Sequence, residues 1–153
     1  MKIKLISVGK IKEDYLNGAI KEYLKRLNAF CELECIECKE INTSDINKNI
    51  VLEGENILNN IKNDDYVITL EIEGSELDSV SFANFILNHY TYDNRTIVFV
   101  IGGSNGLSED VKKRSNKHLS FSKFTFPHQL MRVIFLEQLY RAFTIINNKT
   151  YHK

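Results

Sequence analysis

The chain has 153 residues, 43% of them hydrophobic and 26% charged, with a single proline; this excludes a disordered or collagen-like chain and suits one domain over 1–153. Zero net charge and a pI near 6.9 point to no polyanionic partner through overall charge. No apolar run reaches the roughly 18 residues of a membrane span, and MKIKLISVGK lacks a signal-peptide pattern, so a cytoplasmic location without membrane contact is expected.

KIKLISV (2–8) predicts a strand, and EDYLNGAIKEYLKRL (13–27) a helix with Tyr15, Leu16, Ala19, Tyr23 and Leu27 at apolar spacing. ELECIEC reads as a second strand, because Cys31, Leu33 and Cys35 alternate with Glu32 and Glu34. The C-x3-C-x2-C spacing of Cys31, Cys35 and Cys38 also matches the iron–sulfur motif of radical enzymes that cleave S-adenosylmethionine. That motif needs a flexible loop, so three reduced and mostly buried thiols are the reading here, and no metal is expected.

The polar loop NTSD offers Ser44 or Asp45 as N-cap to a helix over 45–62. DYVITLEI (65–72) is rich in strand formers, FANFILNHY (82–90) reads as a helix, and RTIVFVIGG (95–103) as a strand closed by two glycines. A short basic helix near 108–115 and a strand or extended loop over 118–126 come next. Strands alternating with helices predict an α/β fold, a mainly parallel sheet with helices on both faces. In such sheets ligands bind beyond the carboxyl ends of the strands.

Two strands end on glycine signals there, Gly74 in TLEIEGSELDS and Gly102, Gly103 and Gly106 in VIGGSNGLSED. Either signal suits close approach of a ligand to the backbone, and equally a tight turn. In LSFSKFTFPH the hydroxyls of Ser120, Ser122 and Thr125 alternate with Leu119, Phe121, Phe124 and Phe126, which suits a purine ring or plain packing.

FTFPHQLMRVIFLEQLYRAF (124–143) predicts a helix apolar on all sides, with Pro127 in its first turn. Glu137 and Arg141, four apart, pair most simply with each other. His128 and Arg132 cannot neutralise one another; they need solvent, an acidic neighbour or an anionic ligand, and the ligand is favoured. The terminal Tyr151, His152 and Lys153 either fray or offer a base and a phosphate their contacts. Net charge is +4 over 1–31, −10 over 32–78 and +6 over 101–153. If the basic ends meet in the fold the surface is polarised; otherwise these are ordinary solvated faces.

MKIKLISVGK, TLEIEG (69–74), FVIGGSNGL (99–107), LSFSKFTFPHQLMRVIFLEQLYRAF (119–143) and the final YHK together resemble the ribosomal RNA large-subunit methyltransferase H family, a branch of the knotted SPOUT methyltransferases. The resemblance implies a C-terminal deep trefoil knot and a homodimer with its active site near the dimer interface. It implies methyl transfer from S-adenosyl-L-methionine to N3 of a pseudouridine in helix 69 of 23S rRNA, on assembled ribosomes. Cofactor binding is then expected at Leu70, Gly102, Gly103, Phe121, Ser122, Lys123, Phe124, Thr125 and Phe126.

By the same resemblance, His128, Arg132, Arg141 and His152 are candidate catalytic residues, with Tyr151 and Lys153 toward the substrate. His128 or His152 would assist deprotonation, while Arg132, Arg141 and Lys153 would hold phosphate or the anionic base. Glu71 stands where the family has aspartate, and Thr150 where it has proline. A non-enzymatic ribosome-associated factor and a flavodoxin-like nucleotide-binding protein are the alternative readings.

Overall fold

The computed structural model describes all 153 residues. The elements run β1 (Lys2–Val8), α1 (Asp14–Leu27), β2 (Glu32–Cys38), α2 (Ile46–Leu58), β3 (Tyr66–Glu76), α3 (Ser79–Tyr92), β4 (Ile97–Ile101), α4 (Glu109–Arg114), β5 (Lys117–Ser120) and α5 (His128–Ile146). The strands form one sheet in the order β2-β1-β4-β3-β5, parallel at every pairing. Every residue of central β4 is buried, which is why it reads as an unbroken apolar run.

Alternation along the strands divides the core in two. Ile3, Leu5, Ile68, Phe99 and Leu119 meet α1, α3 and α5 through Leu27, Phe82, Ile86, Phe135 and Leu139. On the other face, Ile6, Val8, Val67, Val98 and Val100 meet Ile57 of α2 and Val111 of α4. Helices thus cover both faces, as the alternating pattern predicts. Asp45 caps α2 by accepting from Lys48 N (3.1 Å), one of the two residues expected there.

Several expectations need correction. Pro127 is the N-cap of α5, in extended conformation, and the helix begins one residue later. Tyr15 is 74% exposed, since the apolar stripe of α1 turns Leu16 and Leu27 inward and leaves it outside. Cys31 and Cys38 are buried but Cys35 is exposed, because β2 is an edge strand with incomplete cover. Cys31 belongs to one core layer and Cys38 to the opposite one, so the three thiols cannot converge on a cluster.

Helix α5 buries Phe135, Leu136, Leu139, Ala142 and Phe143 against the sheet, whereas Met131, Val133, Ile134 and Tyr140 are half-buried. Its apolar surround is therefore satisfied on one side only by its own chain. Helix α1 packs on α5, so the two basic ends of the sequence do meet.

At the carboxyl end of β3 the register jumps: Leu70 and Ser75 are both opposite Leu119, and the residues between loop away. The returning chain crosses β5 so closely that a Cβ on Gly74 would lie 2.7 Å from the His118 carbonyl carbon and 2.8 Å from its oxygen. Gly74→Ala is expected to destabilise the fold by about 1–3 kcal/mol, read as a lower urea midpoint at unchanged slope; an unchanged midpoint would refute this close crossing.

Candidate functional site

The carboxyl ends of β3, β4 and β5 open on a cavity of about 710 Å³, within the usual range for small-molecule sites. Strand β3 supplies Leu70 and Glu71, the turn after β4 supplies Gly102 and Gly103, and β5 with its following loop supplies Leu119 to Ser122 and Phe124 to Phe126. His128 and Met131 close it from the first turn of α5. The glycine turn is held by a bond from Gly106 N to Gly103 O of 3.1 Å, with Gly106 at φ +86°. A Cβ on Gly102 would come to 3.0 Å from Leu107 Cδ2 and 3.1 Å from the Gly106 carbonyl, a tight fit that glycine relieves.

Eight of the nine expected cofactor residues thus line one cavity; Lys123 does not. The lining combines an apolar wall with a polar edge. Leu70, Leu119, Phe121 and Phe126 offer apolar surface for a purine, and Glu71, Lys112 and the glycine turn offer polar partners.

Of the four candidate catalytic residues only His128 reaches this cavity. Arg132 lies one turn further along α5 and is buried, at 4% exposure. Its Nη2 donates to Val8 O (2.7 Å) and Gly9 O (2.5 Å), and its Nη1 to Glu37 Oε2 (2.7 Å). The favoured expectation, an anionic ligand for both His128 and Arg132, does not describe Arg132. An acidic neighbour from β2 and two carbonyls at the end of β1 already occupy its guanidinium.

Arg141 sits at the other end of α5, roughly 20 Å along the helix from His128 at about 1.5 Å per residue. It pairs with Glu137, as the i,i+4 spacing predicts. Its Nη1 also lies 3.2 Å from His152 Nδ1, and its guanidinium is 4.9 Å from the centre of the Tyr151 ring. Tyr151 donates to Glu137 Oε1 (3.0 Å) and meets Tyr140 edge-on. Burial, with hydrogen bonding to Tyr23 and Glu137, pushes its phenol well above the usual range. The tail is tied down at Tyr151, while His152 and Lys153 are exposed.

Two acidic residues near the cavity carried no periodic signal in the sequence, although Glu71 was marked by its departure from the family's aspartate. Glu71 lines the cavity and is bonded by Thr69 Oγ1 (2.6 Å) and by His118 Nδ1. Glu53, in the middle of α2, is buried at 4% exposure and accepts from Ile41 N (2.9 Å). Burial raises the Glu53 carboxyl above its ordinary range, against the pull of the Ile41 bond and of nearby His128. Polar residues inside an amphipathic helix or at a strand end look like solvated positions until the fold assembles around them.

A parallel sheet with glycine turns at its strand ends, opening there on this cavity, defines an α/β protein with its candidate site at the carboxyl edge of the sheet. The family model of predicted SPOUT methyltransferases matches residues 1–152, and the chain belongs to that family. It is 51% identical to the ribosomal RNA large subunit methyltransferase H of Clostridium botulinum (strain Eklund 17B) and 53% identical to that of Finegoldia magna, over the full length of both chains in each case. Among solved structures it is similar to a "probable methylase family protein" from Haemophilus influenzae, with a TM-score of 0.57 at 17% identity, covering 99% of this chain and 70% of that one. That likeness bears on the fold alone.

The Arg132 tie and the buried Glu53 each give an expected outcome. Arg132→Ala leaves Glu37 and two carbonyls without their donor, and is expected to cost about 3 kcal/mol in urea unfolding; a loss under about 1 kcal/mol would mark the tie as incidental. For Glu53 the folded carboxyl binds its proton more tightly than the unfolded one. Its contribution is thus most favourable at low pH and declines as pH rises through the raised pKa. Glu53→Gln should therefore raise the thermal midpoint at about pH 7 and change it little at about pH 4. A midpoint gain independent of pH would contradict this.

Proposed function

We propose that this chain is an S-adenosyl-L-methionine-dependent methyltransferase acting on N3 of a pseudouridine in helix 69 of 23S rRNA, within assembled ribosomes in the cytoplasm. The observation that carries the reading is the cavity itself. Residues from three separate stretches, Leu70, Gly102–Gly103 and the loop after β5, converge on one nucleoside-sized space. Full-length relatives at just over 50% identity are named as rRNA large subunit methyltransferases, which supports the RNA substrate.

Leu70, the glycine turn and Phe121–Phe126 would hold the cofactor, with the knot of this family threading the chain around that loop. When bound, the cofactor supplies an electrophilic methyl group on sulfur. The chain has to orient the pseudouridine edge for in-line attack and receive the N3 proton. His128, the histidine on the cavity wall, is the proton acceptor in this reading. Arg132 positions it by fastening the first turn of α5 to the ends of β1 and β2.

Arg141 stands roughly 20 Å along α5 from His128, and neither it nor Tyr151, His152 and Lys153 of the tail beyond α5 line the cavity of their own chain. A second copy can bring them there, and the half-buried outer side of α5 supports such a homodimer. That side carries Ile134 and Leu130, the latter 37% exposed, and Phe126 lies beside it at 36%. In the dimer Arg141, His152 and Lys153 would stabilise the developing anion on the base and its phosphates, and Tyr151 would contact the nucleotide.

Incubation with methyl-labelled cofactor and unmodified ribosomes, separate subunits or free rRNA is expected to label one pseudouridine, in assembled ribosomes only. His128→Ala and His152→Ala are each expected to lose about 10²- to 10⁴-fold in rate. Mixed dimers of the two variants should regain activity, since one of the two composite sites is then intact. Label on free rRNA alone, or no gain on mixing, would overturn the assembled-ribosome substrate or the shared site respectively.

A further inference from the structure

The carboxylate of Glu71 is held in place by its own chain and still has an oxygen to offer. Its Oε2 is occupied by the hydroxyl of Thr69 (2.6 Å) and by His118 Nδ1. Thr69 is fully buried and its Oγ1 also lies 2.9 Å from Ser115 Oγ, so the support is anchored in the sheet and in the end of α4. Oε1 has no hydrogen-bond donor; its nearest cation, Lys112 Nζ, stands 3.9 Å away. The Glu71 side chain is only 15% exposed, and the residue lines the cavity.

We propose that Glu71 accepts the two ribose hydroxyls of the nucleoside cofactor, and that His118 is the positioning residue that turns the carboxylate toward them. This rests on the cofactor reading above and deepens it. The adjacent residue, Leu70, is on the apolar wall expected to take the purine, so the sugar lies within reach of the next side chain in the strand. A carboxylate at the carboxyl end of a parallel strand meets a ribose diol in other nucleotide-binding sheets for the same geometric reason.

The competing occupant is the cofactor's amino group. Lys112 argues against it: an ammonium on Oε1 would sit beside the lysine Nζ and be repelled by it, whereas neutral hydroxyls would not. His118 already supplies a polar hydrogen to the other oxygen, so the carboxylate is prepared for two further neutral donors rather than for a second cation.

Calorimetric titration of the intact protein with S-adenosylhomocysteine tests this without reference to activity. Glu71→Gln is expected to weaken binding by about 10- to 100-fold, the scale of hydrogen bonds to a charged acceptor. The 2′-deoxy and 3′-deoxy analogues should each bind the wild type more weakly, yet lose little further affinity on Glu71→Gln. His118→Ala should weaken binding by less, and only while Glu71 is present.

Glu71→Ala, which removes the carboxylate outright, carries the same cycle if the glutamine variant fails to fold. Fully additive losses for the deoxy analogues would overturn the proposal. So would non-additivity with an analogue that lacks the amino group instead. A wild-type protein that does not bind S-adenosylhomocysteine at all would overturn the cofactor reading together with this one.

Discussion

A guanidinium buried where α5 begins is the constraint on which the site depends. Burying the Arg132 guanidinium is costly unless strong acceptors are supplied for it. The partners come from two strands: the last carbonyls of β1 and the Glu37 carboxylate of β2. Its Nε stays buried without a partner, so the two terminal nitrogens carry the whole compensation. Because those acceptors belong to strand ends, the first turn of α5 cannot shift without breaking them. The loop before α5 is thereby fixed at both ends, at β5 on one side and at Arg132 on the other.

That fixed loop gives the parallel sheet its functional edge. A parallel sheet delivers its carboxyl ends to one side, but three strand ends alone make only a shallow edge. Depth comes from the segment between Ser120 and His128, which folds over Leu70 and the glycine turn and supplies the aromatic wall. The same helix that anchors the loop ends roughly 20 Å away, carrying a second polar cluster around Glu137 and Arg141. One helix thus carries the cavity-facing His128 at one end and a second polar cluster toward the other. In the homodimer proposed above, its half-buried outer side would bring the two together.

Much of this architecture could be read from periodicity. Strands β1, β2 and β4 and helix α1 follow their patterns within a residue or two, because each has a clear apolar alternation or stripe. The three stretches that line the cavity could be marked locally as glycine turns and an aromatic loop, and the family resemblance joined them, but their convergence could not be read from periodicity. It depends on β3 and β5 being neighbours, which no local pattern encodes. The partner of Arg132 was equally hidden, since Val8 lies 124 positions away in sequence. Glu71 and His118, 47 positions apart, look like unrelated polar residues until the strands align. Cys35 shows the opposite failure: its alternation is real, but periodicity cannot tell an edge strand from a central one.

The uneven charge along the chain finds its explanation in these contacts. An acidic middle between basic ends suggests opposed surfaces, and the basic ends do meet where α1 packs on α5. Part of the acidic middle, however, is not on a separate face. Glu37 crosses from β2 to Arg132, Glu53 is buried close to His128, and Glu71 crosses to His118 and Lys112. All three come from the acidic segment; Glu37 and Glu71 contact basic side chains from the last third of the chain, and Glu53 lies within the electrostatic reach of one. The segregation is therefore resolved by pairing at the carboxyl edge of the sheet, where unpaired charge would be most costly to bury. The positive N-terminal end of α5 lies there as well, which further favours acidic neighbours. The two halves of the sequence are matched electrostatically at the cavity, so charges that look misplaced along the chain are those that position its walls.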